Sequence, residues 1–230
     1  MKTVGLIGGI GPESTVEYYR FIIDAYREQT DDDSYPPIII NSVNLTKLVA
    51  LVTTNQLEKL TEGLVTEVEK LAKAGTDFAA FASNTPHIVF DAVQSRSRIP
   101  LLSIVEATCK RVQELGLTRV GLFGTRFTMQ GSFYPQVFSR AGITLIVPDN
   151  DQQGYIHEKY MGELLKNIFL PETRDRMVEI ANRLKSEHEI EGLILGGTEL
   201  PLLLRDATFA RMHLLDTTRI HVDAIVAELI

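Results

Sequence analysis

Cysteine is almost missing from this 230-residue chain, which contains only Cys109. An internal disulfide is therefore excluded, and such cysteine usage is typical of a reducing, cytoplasmic compartment. Positively charged residues are outnumbered, because the chain has 23 lysines and arginines but 30 acidic residues, and its formal net charge is −7. This balance argues against a nucleic-acid-binding protein that neutralises phosphates. A local pocket on such a protein can still attract a small anion.

Long apolar runs are absent as well. No run approaches the roughly 20 residues that span a bilayer, and we see no signal peptide before the first predicted strand. We therefore expect a cytoplasmic protein with neither a membrane nor a nucleic acid among its partners. Hydrophobic residues make up 44% of the chain and charged residues 23%, which is an ordinary globular mixture.

Short apolar runs alternate with longer amphipathic stretches along the whole chain. The runs at 3–7 and 78–82 predict strands, and the spacing at 14–28, 56–74 and 157–168 predicts helices. Strands that alternate with helices are typical of parallel βαβ units. We therefore predict an α/β fold.

The second half of the sequence resembles the first. Residues 3–8 (TVGLIG) match 119–124 (RVGLFG), and residues 80–84 match 194–198 at nearly the same offset. Any two strands followed by glycine look somewhat alike, but two matches at almost one offset favour a structural repeat. We predict two pseudo-symmetric domains, each with a parallel sheet flanked by helices, and a ligand cleft between them.

The predicted N-terminal domain covers residues 1–98, and the predicted C-terminal domain covers 99–215. The helix predicted at the C-terminus, residues 216–230, returns to pack on the N-terminal domain. Asp216 suits the start of this helix as a capping residue.

Four loops follow strands of this pattern and are the candidate ligand-binding loops, because ligands of open parallel sheets bind at the carboxyl ends of the strands. The first loop, 8–14, is rich in glycine and opens a helix, which allows close backbone approach and favours an anion. It lacks the dinucleotide fingerprint, since Ser14 stands where glycine or alanine is required. A tight turn with Ser14 as a cap is the alternative interpretation.

Small polar side chains recur in the four loops. The candidate ligand-binding residues there are Gly9, Ser14, Asn84, Thr85, Thr125, Thr128 and Thr198. Lys159 is a further candidate, and Lys47 and His157 could also supply charge for an anion. For all three of these charged residues a solvated surface role is the more usual one.

Taken together, these motifs resemble the cofactor-independent aspartate/glutamate racemase family. The resemblance is carried in the family's order by residues 5–9, 13–15, 18–19, 84–85 with 87, 122–126, 196 with 198–199, and 216–217. It implies an isomerase that racemises a small acidic amino acid with one cysteine from each half, without pyridoxal phosphate, metal or any other cofactor. It also implies a homodimer.

Both catalytic cysteines of the family are missing here. The first stands directly before the Asn-Thr pair or one place earlier, where this chain has Ser83 and Ala82, and the second stands before Thr-Glu, where this chain has Gly197. A thiol has a pKa of about 8.5 and is readily converted to thiolate, whereas a serine hydroxyl needs an adjacent base. Cys109 lies in a predicted helix and is interpreted as a buried small apolar residue.

The catalytic candidates are therefore Ser83 and Gly197, as the vacated thiol positions, with His87 and Glu199 as remaining proton-transfer groups. His87 lies one turn into a helix, where fixing the loop is its more usual role, and Glu199 could instead hold a substrate ammonium. We expect the Ser83→Cys, Gly197→Cys variant to create or raise racemase activity.

Four interpretations stay open. The chain is a racemase-like enzyme that transfers the α-proton of a small acidic amino acid with altered residues, or an inactive binding or regulatory protein for an acidic amino acid or dicarboxylate. A third interpretation is a decarboxylase or isomerase that acts from one face of its substrate, but such relatives normally keep one of the two cysteines and this chain has neither. Engineered replacements are a fourth explanation, for which glycine would be an unusual choice.

Overall fold

The predicted α/β fold is confirmed by the computed structural model, which describes residues 1–30, 34–205, 209 and 212–230. Its strands are β1 (Val4–Gly8), β2 (Ile38–Ser42), β3 (Phe78–Phe81), β4 (Leu101–Leu102), β5 (Arg119–Gly124), β6 (Thr144–Ile146), β7 (Gly192–Gly196) and β8 (His213–Asp216). Its α-helices are α1 (Pro12–Gln29), α2 (Leu45–Thr53), α3 (Leu57–Lys73), α4 (Phe90–Gln94), α5 (Ile104–Glu114), α6 (Arg126–Gln130), α7 (Phe133–Arg140), α8 (Asn150–Gly162), α9 (Pro171–His188), α10 (Leu200–Leu204) and α11 (Thr217–Leu229). Two 3₁₀ segments span Thr85–Val89 and Leu164–Lys166.

The strands form two parallel sheets of the same topology. The strand orders are β2-β1-β3-β4 and β6-β5-β7-β8. In the first sheet Val4 lies opposite Ile38 and Phe78, and in the second Val120 lies opposite Leu145 and Gly192. The two sequence matches therefore fall on equivalent central strands, β1 with β5 and β3 with β7.

The chain divides into two compact units. The first consists of Met1–Ala107 and Thr218–Ile230, and the second consists of Thr108–Thr217. The domain boundary predicted after residue 98 precedes the one seen after Ala107, and the return point predicted at 216 lies close to the one seen at Thr218. None of the helices in the described part of the chain is long and apolar enough to cross a membrane.

The core of the first unit joins its first and last helices to the sheet. Tyr18 and Ile22 of α1 lie one turn apart and are fully buried, with Val222 and Ile225 of α11 in the same cluster. Burying an aliphatic or aromatic side chain of this size stabilises a fold by about 1.5–3 kcal/mol. The C-terminal helix is therefore part of the first unit's core.

The core of the second unit lies between its sheet and helices α8 and α9. Ile156 of α8 and Met177 and Ile180 of α9 are almost fully buried and cluster with Phe123 and Leu195 from β5 and β7. The spacing of the buried residues on α9 is that of an amphipathic helix with one apolar face. This packing places α8 next to the carboxyl ends of the central strands.

Several elements differ from the sequence prediction. The helix predicted at 157–168 starts earlier, at Asn150, and ends at Gly162, because Asp149 caps its N-terminus by accepting a hydrogen bond from the backbone N–H of Gln152 at 2.9 Å. Helix α2 and strand β8 were not predicted. Both are short, and short apolar runs without an extended period give a weak signal.

Candidate functional site

The first loop, at the end of β1, is a tight turn held by its own side chains. Gly9 has φ +77°, and a Cβ there would lie 2.5 Å from Ser42 Oγ, so only glycine fits. The Thr15 hydroxyl accepts a hydrogen bond from the Gly9 N–H at 2.8 Å, and Ser14 Oγ donates to the Gly11 carbonyl at 3.0 Å. The Gly9 N–H is thus already used within the turn, and Ser14 does not act as a helix cap.

The second loop, at the end of β3, is buried and polar. Ser83, Asn84 and His87 are 8%, 2% and 2% exposed. The chain turns there into the 3₁₀ segment with Pro86 in its first turn, a position where proline is favoured because its missing N–H costs nothing. The structure thus brings the predicted residues Ser83, Asn84 and Thr85 together at one edge of the first sheet.

His87 fastens this loop through both ring nitrogens. Nδ1 lies 3.1 Å from the Ser83 carbonyl oxygen and 3.2 Å from that of Asn84, so Nδ1 carries the proton and donates. Nε2 accepts a hydrogen bond from the Ile104 N–H at 3.2 Å. Burial lowers the pKa of His87 to about 3, with a smaller contribution from His221. His87 is therefore neutral, with neither nitrogen left to act as a base toward the Ser83 side chain.

The third loop, at the end of β5, joins two buried threonines. Thr125 is the N-cap of α6, and its hydroxyl accepts from the Thr128 N–H at 3.3 Å. The two hydroxyl oxygens lie 3.2 Å apart. His157 adjoins this loop, because its Nδ1 accepts from the Arg126 N–H at 3.2 Å. Burial lowers the pKa of His157, and the positive charge of Arg126 lowers it further.

The fourth loop, at the end of β7, contains a buried carboxylate. Glu199 is 2% exposed, and its Oε2 accepts a hydrogen bond from Thr198 Oγ1 at 2.9 Å. The hydroxyl of Tyr160, from α8, donates to the same oxygen. Burial raises the pKa of Tyr160 well above its usual value, and the Glu199 carboxylate raises it further, so the phenol stays protonated at neutral pH.

Tyr160 also occupies the space beside Gly197. A Cβ at position 197 would lie 2.9 Å from both Cζ and the hydroxyl oxygen of Tyr160, and closer still to Cε2. Sequence reasoning did not identify Tyr160 as a site residue. The only local signal was its position on the buried face of α8 with Ile156, which indicates core packing and gives no hint of a contact 37 residues along the chain.

Lys159 is paired within its own helix. Its ammonium group forms an ion pair with Glu163, whose other carboxylate oxygen accepts from Thr173 Oγ1 at 2.6 Å. The hydrogen bond to Glu163 raises the pKa of Lys159. The charge of Lys159 is therefore neutralised by a residue at the end of its own helix.

Lys47 and Cys109 both lie outside the four loops. Lys47 is exposed and lines a surface pocket of about 380 Å³ between β2, α2 and α3 of the first unit. Cys109 is buried within α5. Among the described residues, no three histidine, cysteine, aspartate or glutamate side chains converge as metal ligands would.

The class of protein follows from comparison with known sequences. The family model of the Asp/Glu/hydantoin racemases matches residues 7–225. The chain therefore belongs to the Asp/Glu/hydantoin racemase family, and the family resemblance predicted from its motifs is confirmed.

Individual relatives agree with this assignment. The broad specificity amino-acid racemase RacX of Bacillus subtilis (strain 168) is 30% identical over 153 residues, which span 65% of this chain and 66% of RacX. A proposed Asp/Glu racemase from Yersinia pestis superimposes with a TM-score of 0.91 at 31% identity, covering 100% of this chain and 99% of that one. An aspartate racemase homologue from Pyrococcus horikoshii OT3 gives a TM-score of 0.85 at 31% identity, with coverage of 100% and 99%.

Proposed function

We propose that this protein binds a small amino acid or dicarboxylate through the loops at the carboxyl edges of its sheets and does not racemise it by two-thiol chemistry. The observation that carries the proposal is the combination of retained buried polar groups with the absence of a thiol at both positions where the family has its catalytic cysteines. Asn84, Thr125 and Thr198 are buried shortly after strands, and Thr128 is buried in the first turn of α6. Such groups suit the carboxylate and ammonium of an amino acid.

The loss of a base is supported at both thiol positions. Ser83 has a hydroxyl where a thiol is expected, and its neighbour His87 uses both ring nitrogens for backbone groups. At the other position Gly197 offers no side chain, and the adjacent Tyr160 is held protonated by burial and by Glu199. A thiolate is the species that abstracts the α-proton in two-thiol racemisation, and neither position supplies one.

An enzyme with altered residues is the second candidate. It is favoured by the buried hydrogen bond from Tyr160 to Glu199, because an ionisable group whose pKa is shifted, as that of Tyr160 is, often occurs at a catalytic site. In that case the protein would move an α-proton of a small acidic amino acid without pyridoxal phosphate or another cofactor, and it would be an isomerase like its relatives.

The cellular setting is part of the same proposal. The single cysteine supports a reducing cytoplasm, the net charge of −7 speaks against nucleic acid as a partner, and the family resemblance supports a homodimer.

Two measurements on the unmodified protein separate these candidates. Calorimetric titration with each enantiomer of aspartate and glutamate, and with succinate and malate, tests binding. Proton exchange at Cα in D₂O, followed by NMR, tests chemistry. Binding without exchange supports the binding protein, and exchange supports the enzyme. If no ligand binds and none raises the melting temperature at high concentration, the proposal fails, since a ligand at 100 times its Kd should stabilise the fold by about 2.7 kcal/mol.

A further inference from the structure

Position 197 has no side chain, and the space that a side chain would occupy there is filled by Tyr160. A positive φ is one reason why a position requires glycine, but Gly197 is not among the glycines with positive φ. What constrains it is the Tyr160 ring, which lies where a side chain would begin. A real Cβ essentially never approaches other heavy atoms so closely, so either the ring or the loop would have to move.

The ring has little freedom to move aside. Tyr160 is 5% exposed and belongs to the buried cluster that contains Leu164, Leu195 and Leu200. Its other end is anchored by the hydrogen bond that its hydroxyl donates to Glu199. A side chain fixed at both ends in a close-packed interior cannot change rotamer without disturbing its neighbours.

We propose that Tyr160 determines what position 197 can carry: its ring excludes any side chain there, a thiol included, while its hydroxyl positions the carboxylate of Glu199. Tyr160 is thus a positioning residue that accounts for glycine at this place. The inference rests on the proposed function only in taking position 197 as a vacated thiol site, because the packing itself needs no ligand.

The proposal corrects the expectation for the double cysteine variant. Ser83→Cys with Gly197→Cys is not sufficient, because the new Cβ at position 197 meets the ring of Tyr160. A third change that removes the ring, Tyr160→Val, is needed before a thiol at position 197 can stand clear of α8.

The test is a double-mutant cycle between positions 160 and 197 in the full chain, read as melting temperature. We expect Gly197→Cys to lower the melting temperature by about 5 °C or more. Gly162→Cys is the matched control, since Gly162 is exposed and nothing lies within 4 Å of a Cβ there. We expect the variant with both Tyr160→Val and Gly197→Cys to have a melting temperature well above the value expected if the two single decreases were additive. The effect of the cavity is measured with Tyr160→Val alone.

Tyr160→Phe separates the ring from the hydroxyl. Phenylalanine keeps the ring carbons that crowd position 197, so Tyr160→Phe with Gly197→Cys should gain no such relief. The proposal is overturned if the Gly197→Cys variant has the same melting temperature as the parent protein. It is also overturned if the effects of Tyr160→Val and Gly197→Cys on the melting temperature are additive. These results do not depend on ligand binding, so a failure of the proposed function would leave them unchanged.

A separate measurement tests whether position 197 can carry a catalytic thiol. Ser83→Cys with Gly197→Cys should not racemise an acidic amino acid in D₂O, because exchange from the position 83 face alone retains configuration, whereas the triple variant that also carries Tyr160→Val should exchange the α-proton with loss of optical purity. A folded triple variant that racemises no faster than the double variant would overturn the assignment of position 197 as a thiol site.

Discussion

Glu199 is a buried carboxylate that accepts hydrogen bonds from two hydroxyl groups, those of Thr198 and Tyr160. Hydrogen bonds to a charged group contribute more to stability than neutral ones, and a buried charge that loses a donor is poorly solvated. The local environment of this carboxylate therefore determines how well the loop after β7 is held.

We predict that Tyr160→Phe lowers the free energy of unfolding by about 1.5–3 kcal/mol, because one charge-assisted hydrogen bond is lost while the ring is kept. The measurement is urea unfolding at pH 7. Tyr155→Phe on the same helix serves as the control, since Tyr155 is only half-buried, and it should shift the unfolding midpoint little. A Tyr160→Phe protein as stable as the parent would show that the hydroxyl does not support Glu199.

Gly9 illustrates a different constraint at the residue scale. We predict that Gly9→Ala destabilises the protein by about 2–4 kcal/mol, because it adds both a positive φ and a clash with the segment after β2. Gly75→Ala is the control, as Gly75 also has a positive φ but no atom within 4 Å of a Cβ. Its cost in urea unfolding should be about 1 kcal/mol, which is the strain alone. Equal costs at the two positions would contradict the crowding described for Gly9.

At the scale of single elements, α6 depends on its cap. Thr125 caps the helix through its side chain, whereas Ser132, at the equivalent place of α7, makes no such bond. We predict that Thr125→Ala costs about 1 kcal/mol of stability and that Ser132→Ala costs only a few tenths. Both are measured by urea unfolding. If Thr125 also binds the ligand, its variant alone should weaken calorimetric affinity, and equal behaviour of the two variants would contradict this assignment.

The elements also show where sequence reasoning succeeds and where it stops. The strands around Leu6, Ala80 and Leu122 are buried on both faces, and their apolar runs, each ended by glycine or polar residues, predict parallel strands correctly. Strand β8 was not predicted, because Asp216 at its end suggested a helix start. Helix α2, which is only nine residues long, gave too short a period to be recognised.

The site was predictable to the extent that it follows strand ends. Asn84, Thr125 and Thr198 come from loops whose position is dictated by parallel topology. Tyr160 could not be predicted, because its contact with Gly197 depends on the packing of α8 against β7. The role of His87 was anticipated from its place in a helical turn, but its bond to Ile104 is a contact across 17 residues that no local pattern indicates.

For the whole molecule, two buried histidines contribute to the response to acid. His87 has a pKa of about 3 and His221 of about 4, chiefly because burial disfavours their charged forms. The Tyr18 hydroxyl lies 2.9 Å from His221 Nδ1, and Nε2 lies 3.1 Å from the Leu102 carbonyl oxygen. Nε2 therefore donates and Nδ1 accepts, which describes a neutral ring.

Both folded pKa values lie below the unfolded value of about 6.5, so the unfolded chain binds more protons in acid. The stability that these histidines contribute is complete above about pH 6.5 and falls as the pH drops toward 4. We predict a loss of about 1.4 kcal/mol per pH unit for each histidine in that range. Urea midpoints at pH 7, 6 and 5 measure it.

His221→Gln should remove its share of this dependence, and His188→Gln, at an exposed position, should leave the dependence unchanged. A His221→Gln protein with the parent's full pH dependence would contradict the neutral state of the buried ring.

The discontinuity of the first unit has a consequence for synthesis on the ribosome. The second unit is a single stretch of chain, Thr108–Thr217, whereas the first needs Thr218–Ile230 to complete it. The segment made first therefore finishes folding last. Until Val222, Ile225 and Leu229 emerge, the apolar side chains of β1 and α1 that share their core cluster stay uncovered, so the first unit cannot complete its core before the whole second unit has been synthesised.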